Sequence, residues 1–477
     1  MSLLKKILIG LMALVLVCAL VIWWLLRGDP AEYPLEDVTG TDPVLAEPDP
    51  QTIPTVVIAR PVGWEDDQQP EAAQGLTVNR FAEGLEHPRV IYALPNGDIL
   101  VAEANSPEPI DAGSWLNNVV AGWLFSRAGA AVPSPNRLVL LRDEDADGVA
   151  EGHFVLRDDL ASPSGIGFHD GRLFVANHDA VLAFDYELGA TTLEGEPEKL
   201  MDLPSAGNHW MRNLTVDPDG SRLFVAVGSA SNIGELGMDI EQRRAAILEY
   251  NFESGGSRIF GGGLRNPNGL AWNPWSGELW TTVNERDMLG SDLVPDYLTN
   301  VQIGAQYGWP WFYWGENVDR RVDARMPFGM VDYVRTPEFA LGPHVAALGL
   351  VFTSEGNRLG EPFTQGAVIA RHGSWNRKPA AGYDVVYVAF DERGNPQGKP
   401  VPLLTGFLND DNTTKGRPTW VAWDRTGALL VSDDTGNIIW RVVSPDAEAN
   451  SGHERYTTPA VRPRPELLGD PMLPRGG

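Results

Sequence analysis

His209 is one of only eight histidines in the chain. It stands in SAGNHWMRNLTVDPDG, just ahead of a run patterned as a strand. A neutral imidazole at a strand end can take a proton from a substrate hydroxyl at ordinary pH. The plainer role for the same residue is a loop histidine hydrogen-bonded to backbone. Arg265-Asn266 holds the corresponding position before a later strand, His344 before another (GPHVAALGL), and Arg417-Pro418 before the last. Arg371, His372, Arg377 and Lys378 (ARHGSWNRKP) add positive charge to a chain of formal charge −27. If these positions converge, they form a cationic funnel in an anionic shell, which suits a small polyanionic ligand such as a carboxylated cofactor.

A second constellation is acidic. RDEDADGVAEG (142–152) places Asp143, Asp145 and Asp147 at alternate positions before Gly148, a spacing that can wrap calcium. Position twelve of such a loop is Phe154 rather than a glutamate, so a complete EF-hand is excluded. An acidic β-turn and a partial calcium site both remain open. No phosphate-cradling glycine loop, no GxSxG elbow and no HExxH pattern is present, and the cluster Gly261–Gly263 reads as a turn. The single cysteine, Cys18, excludes disulfides, iron–sulfur clusters, thiolate zinc sites and an attached c-type haem. Redox chemistry would need a non-covalent organic cofactor. The strong negative charge argues against nucleic acid.

The elements that must carry these residues repeat. VIYALPNGDILVAEA (90–104), SGIGFHDGRLFVANH (164–178), NLTVDPDGSRLFVAVGSA (213–230) and NGLAWNPWSGELWTTVNE (268–285) each read strand, turn, strand. LGLVFTSEGN with GAVIARHG (348–373) and WVAWDRTGALLVSDD (420–434) complete six copies. AVLAFDY, AAILEYNF, VVYVAF and NIIWRVV supply further strands. Six similar hairpins predict an all-β fold, a six-bladed β-propeller, over residues 76–445. The richest copy is Gly261–Trp311, where the hairpin runs into a loop bearing Glu285, Arg286, Asp287, Asp292 and Asp296.

Outside the repeats, Lys5 and Lys6 precede the uncharged run Ile7 to Leu26, long enough to span a bilayer. Residues 1–27 are expected to be an uncleaved signal anchor, one N-terminal transmembrane helix before the propeller, which puts the bulk of the chain on the periplasmic side of the inner membrane. Residues 28–75, rich in Pro and acidic residues, read as a tether or irregular wrap. Residues 446–477 read as an irregular tail. SWLNNVVAGWLFSRAGAA (114–131) carries Trp115, Leu116, Val119, Val120, Trp123 and Leu124 at helical spacing, a packing surface or a membrane-lying helix.

Taken in order, HWMRNLTVDPDGSRLFVAVGSASN, GGGLRNPNGLAWNPWSGELWTTVNERD, DYLTNVQIGAQYGWPW, PHVAALGLVF, ARHGSWNR, GYDVVYVAF and GRPTWVAWDRTGALLVSDD give the chain a family likeness. Over residues 78 to 443 it resembles the pyrroloquinoline quinone-dependent glucose/sorbosone dehydrogenases, most closely their membrane-anchored sorbosone dehydrogenase branch. The resemblance implies a six-bladed propeller in which His209 is the general base and hydride passes to the quinone. It implies that Arg265 and Asn266 polarise the quinone oxygens, and that a calcium ion acts as Lewis acid, held in part by backbone carbonyls near Arg286 and Asp287. Arg371, His372, Arg377, Arg417 and Trp420 are the expected cofactor contacts of blades five and six. The expected substrate is a sugar or aldehyde, and the expected electron acceptor is a separate membrane quinone or cytochrome.

Three positions depart from the soluble glucose-oxidising branch. Ser229-Ala230 replaces an Asp-Gln pair, Thr419 stands where a second arginine is expected, and the cofactor-contacting lysine falls at His372 or Gly373. These departures leave room for a non-catalytic, membrane-held binding module on the same scaffold. A calcium-dependent lactonase would need acidic side chains around an axial metal, whereas this funnel reads as cationic.

Overall fold

The computed structural model describes residues 3–107, 119, 122–124, 126–353 and 357–448. Six antiparallel sheets form a β-propeller, and each predicted hairpin supplies the two inner strands of one blade. Blade 1 is Pro88–Ala93, Ile99–Glu103, Arg137–Arg142 and Gly152–Arg157; blade 2 is Gly165–His169, Arg172–Ala176, Ala180–Asp185 and Glu198–Asp202. Blade 3 is Leu214–Val216, Arg222–Val227, Ala246–Asn251 and Ser257–Gly262; blade 4 is Asn266–Trp272, Leu279–Asn284, Pro295–Val301 and Phe339–Pro343. Blade 5 is Ala347–Phe352, Gly366–Arg371, Asp384–Phe390 and Pro396–Thr405, extended by Glu71–Ala72. Blade 6 is Pro418–Trp423, Leu429–Asp433 and Ile438–Val443, closed by the N-terminal strand Thr77–Glu83.

The second strands explain the sequence pattern. Ile99–Glu103, Gly366–Arg371 and Leu429–Asp433 are buried at every position. Each is covered on both faces by neighbouring blades, so it reads as a continuous apolar run rather than an alternation. Large aromatics fill the wedges: Trp280, Phe352 and Phe390 meet edge to face between blades 4 and 5.

Register fixes one functional face. Asn266 pairs with Asn284, Ala347 with Arg371 and Pro418 with Asp433, so inner strands start and second strands end at the same side. His209, Arg265, His344 and Arg417 all precede inner strands and therefore share that side, called here the upper face. The Asp143 loop joins the two outer strands of blade 1 and touches Arg425, in the hairpin turn of blade 6, placing it on the opposite face.

Residues 28–75 lie against the propeller. The backbone at Ala31 bonds Lys378, Asp49 and Gln51 bond Leu289 and Met288, and Val57 bonds Trp375. Arg60–Pro61 then pairs with Thr413–Thr414, and Trp64 Nε1 donates to Asp433 at 2.8 Å. The apolar run forms helix α1, Leu3–Leu26. Among the described residues, however, no helix is long and apolar enough to cross a membrane, so the spanning segment of the expected fold is unsupported here. Much of the 114–131 insertion and the tail from 449 lie outside the described residues.

Candidate functional site

The His209 loop is held by two buried cations. Arg212, fully buried, donates from Nη1 to the His209 and Met211 carbonyls at 2.8 Å and from Nη2 to Pro204 at 2.7 Å. Arg244 donates to the Gly228 and Pro204 carbonyls at 3.0 and 2.8 Å. A buried guanidinium must find acceptors for its donors, and here the terminal nitrogens of both arginines grip the loop's carbonyls while each Nε is left unpaired. Burial, then the Arg244 charge, push Arg212 down to about 9, and burial lowers Arg244 against the pull of Glu241.

His209 is thereby presented to the funnel in one tautomer. Its Nδ1 lies 2.8 Å from the Ser229 carbonyl, which can only accept, so Nδ1 carries the proton and Nε2 keeps its lone pair. Burial, then the Arg265 charge, push its pKa down to about 3, so the ring is neutral through the physiological range. The departure at Ser229-Ala230 thus has a local role. The Ser229 backbone sets the tautomer, and Ala230 N–H is anchored on Glu241 at 2.8 Å.

Gly228 lies between His209 and the next blade. A Cβ there would come within 2.3 Å of Asn266 Oδ1 and 2.6 Å of His209 Cβ, so only glycine lets the imidazole and the amide sit side by side. Asn266 Nδ2 bonds Asn284 Oδ1 at 3.2 Å, while Asn266 Oδ1 is buried without a partner.

Arg265 is 5% exposed, and every N–H is spent within the protein. Nε bonds the Asn232 carbonyl at 3.1 Å, and Nη1 bonds the Asn284 and Glu285 carbonyls at 3.3 and 2.6 Å. Nη2 bonds Asn232 Oδ1 at 2.9 Å and Asp287 Oδ2 at 3.2 Å. Asp287 also meets His344 Nδ1 at 3.2 Å, and His344 Nε2 faces the Gly290 carbonyl at 3.0 Å. Both ring nitrogens of His344 therefore face acceptors. Burial opposes its charge, but the Asp287 hydrogen bond outweighs that and raises its pKa. Asp287 is correspondingly lowered despite its burial. The loop that follows is braced from below by Glu285 and Asp296, both buried and pushed up to about 7 by desolvation; Asp296 accepts from Glu285 and Ala346 N–H at 2.8 and 2.7 Å.

A second hub faces the first across the funnel. Asp434 Oδ2 accepts from Arg89 Nη1 and lies 2.9 Å from His372 Nε2 and 3.7 Å from His87 Nε2. Burial alone would raise this carboxyl, yet His372, His87 and Arg89 hold it well below the usual range. Burial and the Arg417 charge push His372 down to about 3. Arg89 lies 5.5 Å from the Trp210 ring centroid, and its Nη2 meets Met211 Sδ at 3.0 Å, so the HWM segment links the two hubs. Arg417, half-buried over the Tyr383 ring, uses Nε and Nη2 on the His372 and Gly373 carbonyls. Its Nη1 has no partner among the described residues.

The structure thus brings His209, Arg265, Asn266, Asp287, His344, His372 and Arg417 to one funnel. Other expected contacts go elsewhere. Arg371 is 4% exposed and paired with Asp384, Arg377 is 3% exposed and paired with Asp292, and Trp420 packs in the core at 6% exposure. Thr419 is buried, its hydroxyl on the Arg417 carbonyl. Arg286 lies against Asp319 beneath the loop, so the pair expected near calcium offers its backbone, with the Asp287 carbonyl already accepting from Asn232 at 3.2 Å. Asp143, Asp145 and Asp147 do converge, joined by Glu151, on the opposite face. Sequence reasoning missed His87, Arg89, Asn232 and Asp434. His87 and Arg89 flank the start of blade 1's inner strand and obey the same placement rule; Asn232 and Asp434 carry no comparable signal. The described cavity of about 600 Å³ lies behind this wall, between Arg244, Phe260 and Trp309, rather than in the funnel.

Residues 140–302 and 330–444, more than half of the chain, match the TrAA12-like family. The chain belongs to the TrAA12-like family. Among curated relatives of this TrAA12-like chain, an aldose sugar dehydrogenase of Escherichia coli K12 is 34% identical over 127 residues, 24% of this chain and 32% of that protein. A pyrroloquinoline quinone-dependent sugar dehydrogenase of Hypocrea jecorina is 23% identical over 438 residues, 80% of this chain and 91% of that protein. The Trichoderma reesei family AA12 carbohydrate-active enzyme superposes with a TM-score of 0.64 at 20% identity, covering 80% of this chain and 100% of that one. The holo pyrroloquinoline quinone domain of Coprinopsis cinerea pyranose dehydrogenase does so at 0.62 and 21%, covering 81% and 100%. At such identities these superpositions establish the fold.

Proposed function

We propose that the chain is a quinoprotein dehydrogenase that oxidises a sugar or aldehyde, with pyrroloquinoline quinone and calcium as cofactors. The observation that carries this reading is the neutral, Nδ1-protonated His209, whose ring shares the funnel with Asn266 and with the cations Arg265 and Arg417. The residues fit an anionic, oxygen-rich cofactor through a donor: Arg417 uses only Nε and Nη2 on backbone carbonyls, leaving Nη1 for a carboxylate. Bound there, the quinone supplies the hydride acceptor. His209 Nε2 takes the hydroxyl proton of the substrate, and Arg212 and Ser229 hold the ring in place while it does so. Arg417 and Asn266 would bind the cofactor. Arg265 would hold the loop bearing the Arg286 and Asp287 carbonyls, the proposed calcium ligands, and reach a quinone oxygen only by releasing a present partner.

The relatives' names, an aldose sugar dehydrogenase and a pyrroloquinoline quinone-dependent sugar dehydrogenase, support the substrate and cofactor classes. A sorbosone-like aldehyde is the substrate we favour within that class. We also propose that α1 tethers the chain to the inner membrane with the propeller in the periplasm, and that electrons leave to a separate membrane quinone or cytochrome. The exposed apolar side chains Leu11, Met12, Leu14, Val15, Leu16 and Val17 point to every side of the helix over residues 11–17, a distribution suited to lipid.

One observation favours the non-catalytic alternative: all five donors of Arg265 are satisfied without a ligand. Purified protein incubated with pyrroloquinoline quinone and calcium separates the two. Dye-linked oxidation within a panel of aldoses and aldehydes supports the dehydrogenase; an intact fold that retains no quinone absorbance and oxidises none of the panel supports the binding module.

A further inference from the structure

We infer that the upper face docks on a lipid bilayer along blades 5, 6 and 1, with the funnel tilted towards the membrane. This rests on the proposal that α1 is inserted.

The end of α1 is not on a free linker. Lys378 Nζ bonds the Arg27 carbonyl at 2.9 Å, Asp29 N–H bonds Thr55 Oγ1 at 2.8 Å, and Ser291 Oγ bonds the Asp29 carbonyl at 2.5 Å. The chain therefore leaves the helix straight into the upper-face loops of blades 4 and 5. From there exposed apolar side chains continue outward. Val56 is 36% exposed next to Val57, whose N–H bonds the carbonyl of Trp375, itself 41% exposed. Val62, 52% exposed, hydrogen-bonds Thr414 ahead of blade 6. Its neighbour Pro61 lies against Gly129, where a Cβ would stand 2.8 Å from the proline ring. Gly129 ends the blade 1 insertion, whose described helical residues include Val119 at 52% exposure and Trp123 at 61%.

Charge supports lipid as the occupant. In a chain of net charge −27 this strip carries exposed Arg27, Arg60, Arg127 and Lys378 around its apolar centre, with exposed Asp411 beside Arg60 and exposed Glu32 beyond the end of α1. The Arg127 guanidinium lies 5.7 Å from the Trp123 ring centroid. The acidic stretch that follows turns away, with the Glu65 and Gln68 carbonyls accepting from Arg80 at the blade 6 edge. Apolar and aromatic side chains ringed by cations are the makeup of a surface lying at a lipid headgroup boundary. The strip covers one side only. Ser205, Ala206 and Gly207, beside His209, are exposed on the blade 2–3 side and leave a rim through which a water-soluble substrate can enter.

Cys18 is the chain's only cysteine, so a spin label there reports on α1. Labels at Val62→Cys and Trp375→Cys in a Cys18→Ser background report on the strip. Ile303→Cys, at a position 60% exposed on the opposite face, is the aqueous reference. With the full chain in phosphatidylethanolamine–phosphatidylglycerol vesicles, power-saturation EPR is expected to show both strip labels several-fold less accessible than Ile303 to a water-soluble nickel chelate and more accessible to oxygen. Values matching Ile303 at both positions, with Cys18 in hydrocarbon, overturn the docking and leave the anchor standing. A water-exposed Cys18 removes the anchor and the docking with it.

Discussion

Three histidines of the funnel differ in charge because their partners differ. His209 donates to a carbonyl and feels Arg265, and His372 is desolvated beside Arg417, so both stay neutral. His344 lies between a carboxylate and a carbonyl and holds its proton. Ring resonances in the cofactor-free protein are accordingly expected to show no His209 inflection between about pH 5 and 8, measured by NMR; an inflection near the ordinary value of about 6.5 would contradict the tautomer argument. For His344 the sign follows from a raised pKa. Its stabilisation is fully present below about 6.5 and is lost as pH rises through the folded value. His344→Gln should therefore destabilise by about 3 kcal/mol in mildly acidic solution, with the gap narrowing at higher pH; denaturant titrations at several pH values measure it.

At the scale of elements, each site residue owes its place to a strand end, and the contacts between strand ends are close. Gly228→Ala would drive a methyl group into Asn266 and His209. Turnover of the loaded protein should fall by roughly 100-fold from misplacement alone, with a stability loss of about 1–3 kcal/mol. Steady-state kinetics beside a melting curve would show whether activity falls far more than stability. The same scale explains what could be read in advance. Second strands such as Arg222–Val227 are nearly continuous buried runs that follow a Gly or Asp-Gly turn, a local signal. Outer strands such as Glu198–Asp202 and Pro396–Thr405 are largely exposed and carry no such pattern. In the site, His209, Arg265 and Arg417 were visible because each precedes a legible strand. Asp434 was not, because its partners Arg89 and His372 are 345 and 62 residues away and only ring closure unites them. Arg212 and Arg244 act through backbone carbonyls, which leave no mark on residue type.

Across the whole molecule, the N-terminal segment closes the ring and braces the functional face. Thr77–Glu83 completes blade 6, Glu71–Ala72 edges blade 5, and the stretch before them lies over the loops after Asn284 and Arg371. Trp64 is the pin: it donates to Asp433, which burial pushes up to about 6, and meets Phe407 and Trp440 edge to face at 5.4 and 5.1 Å. Trp64→Ala should cost about 3 kcal/mol in thermal or denaturant unfolding; a loss within error would mean that the segment is not part of the cooperative unit.

The chemistry proposed for this scaffold depends on one base. His209→Ala in protein loaded with pyrroloquinoline quinone and calcium tests it most directly, with quinone absorbance and dye-linked oxidation read on the same sample. The account predicts that the variant keeps the quinone and loses turnover by about 100-fold or more. Turnover retained with His209 gone, or quinone lost together with turnover, would contradict it.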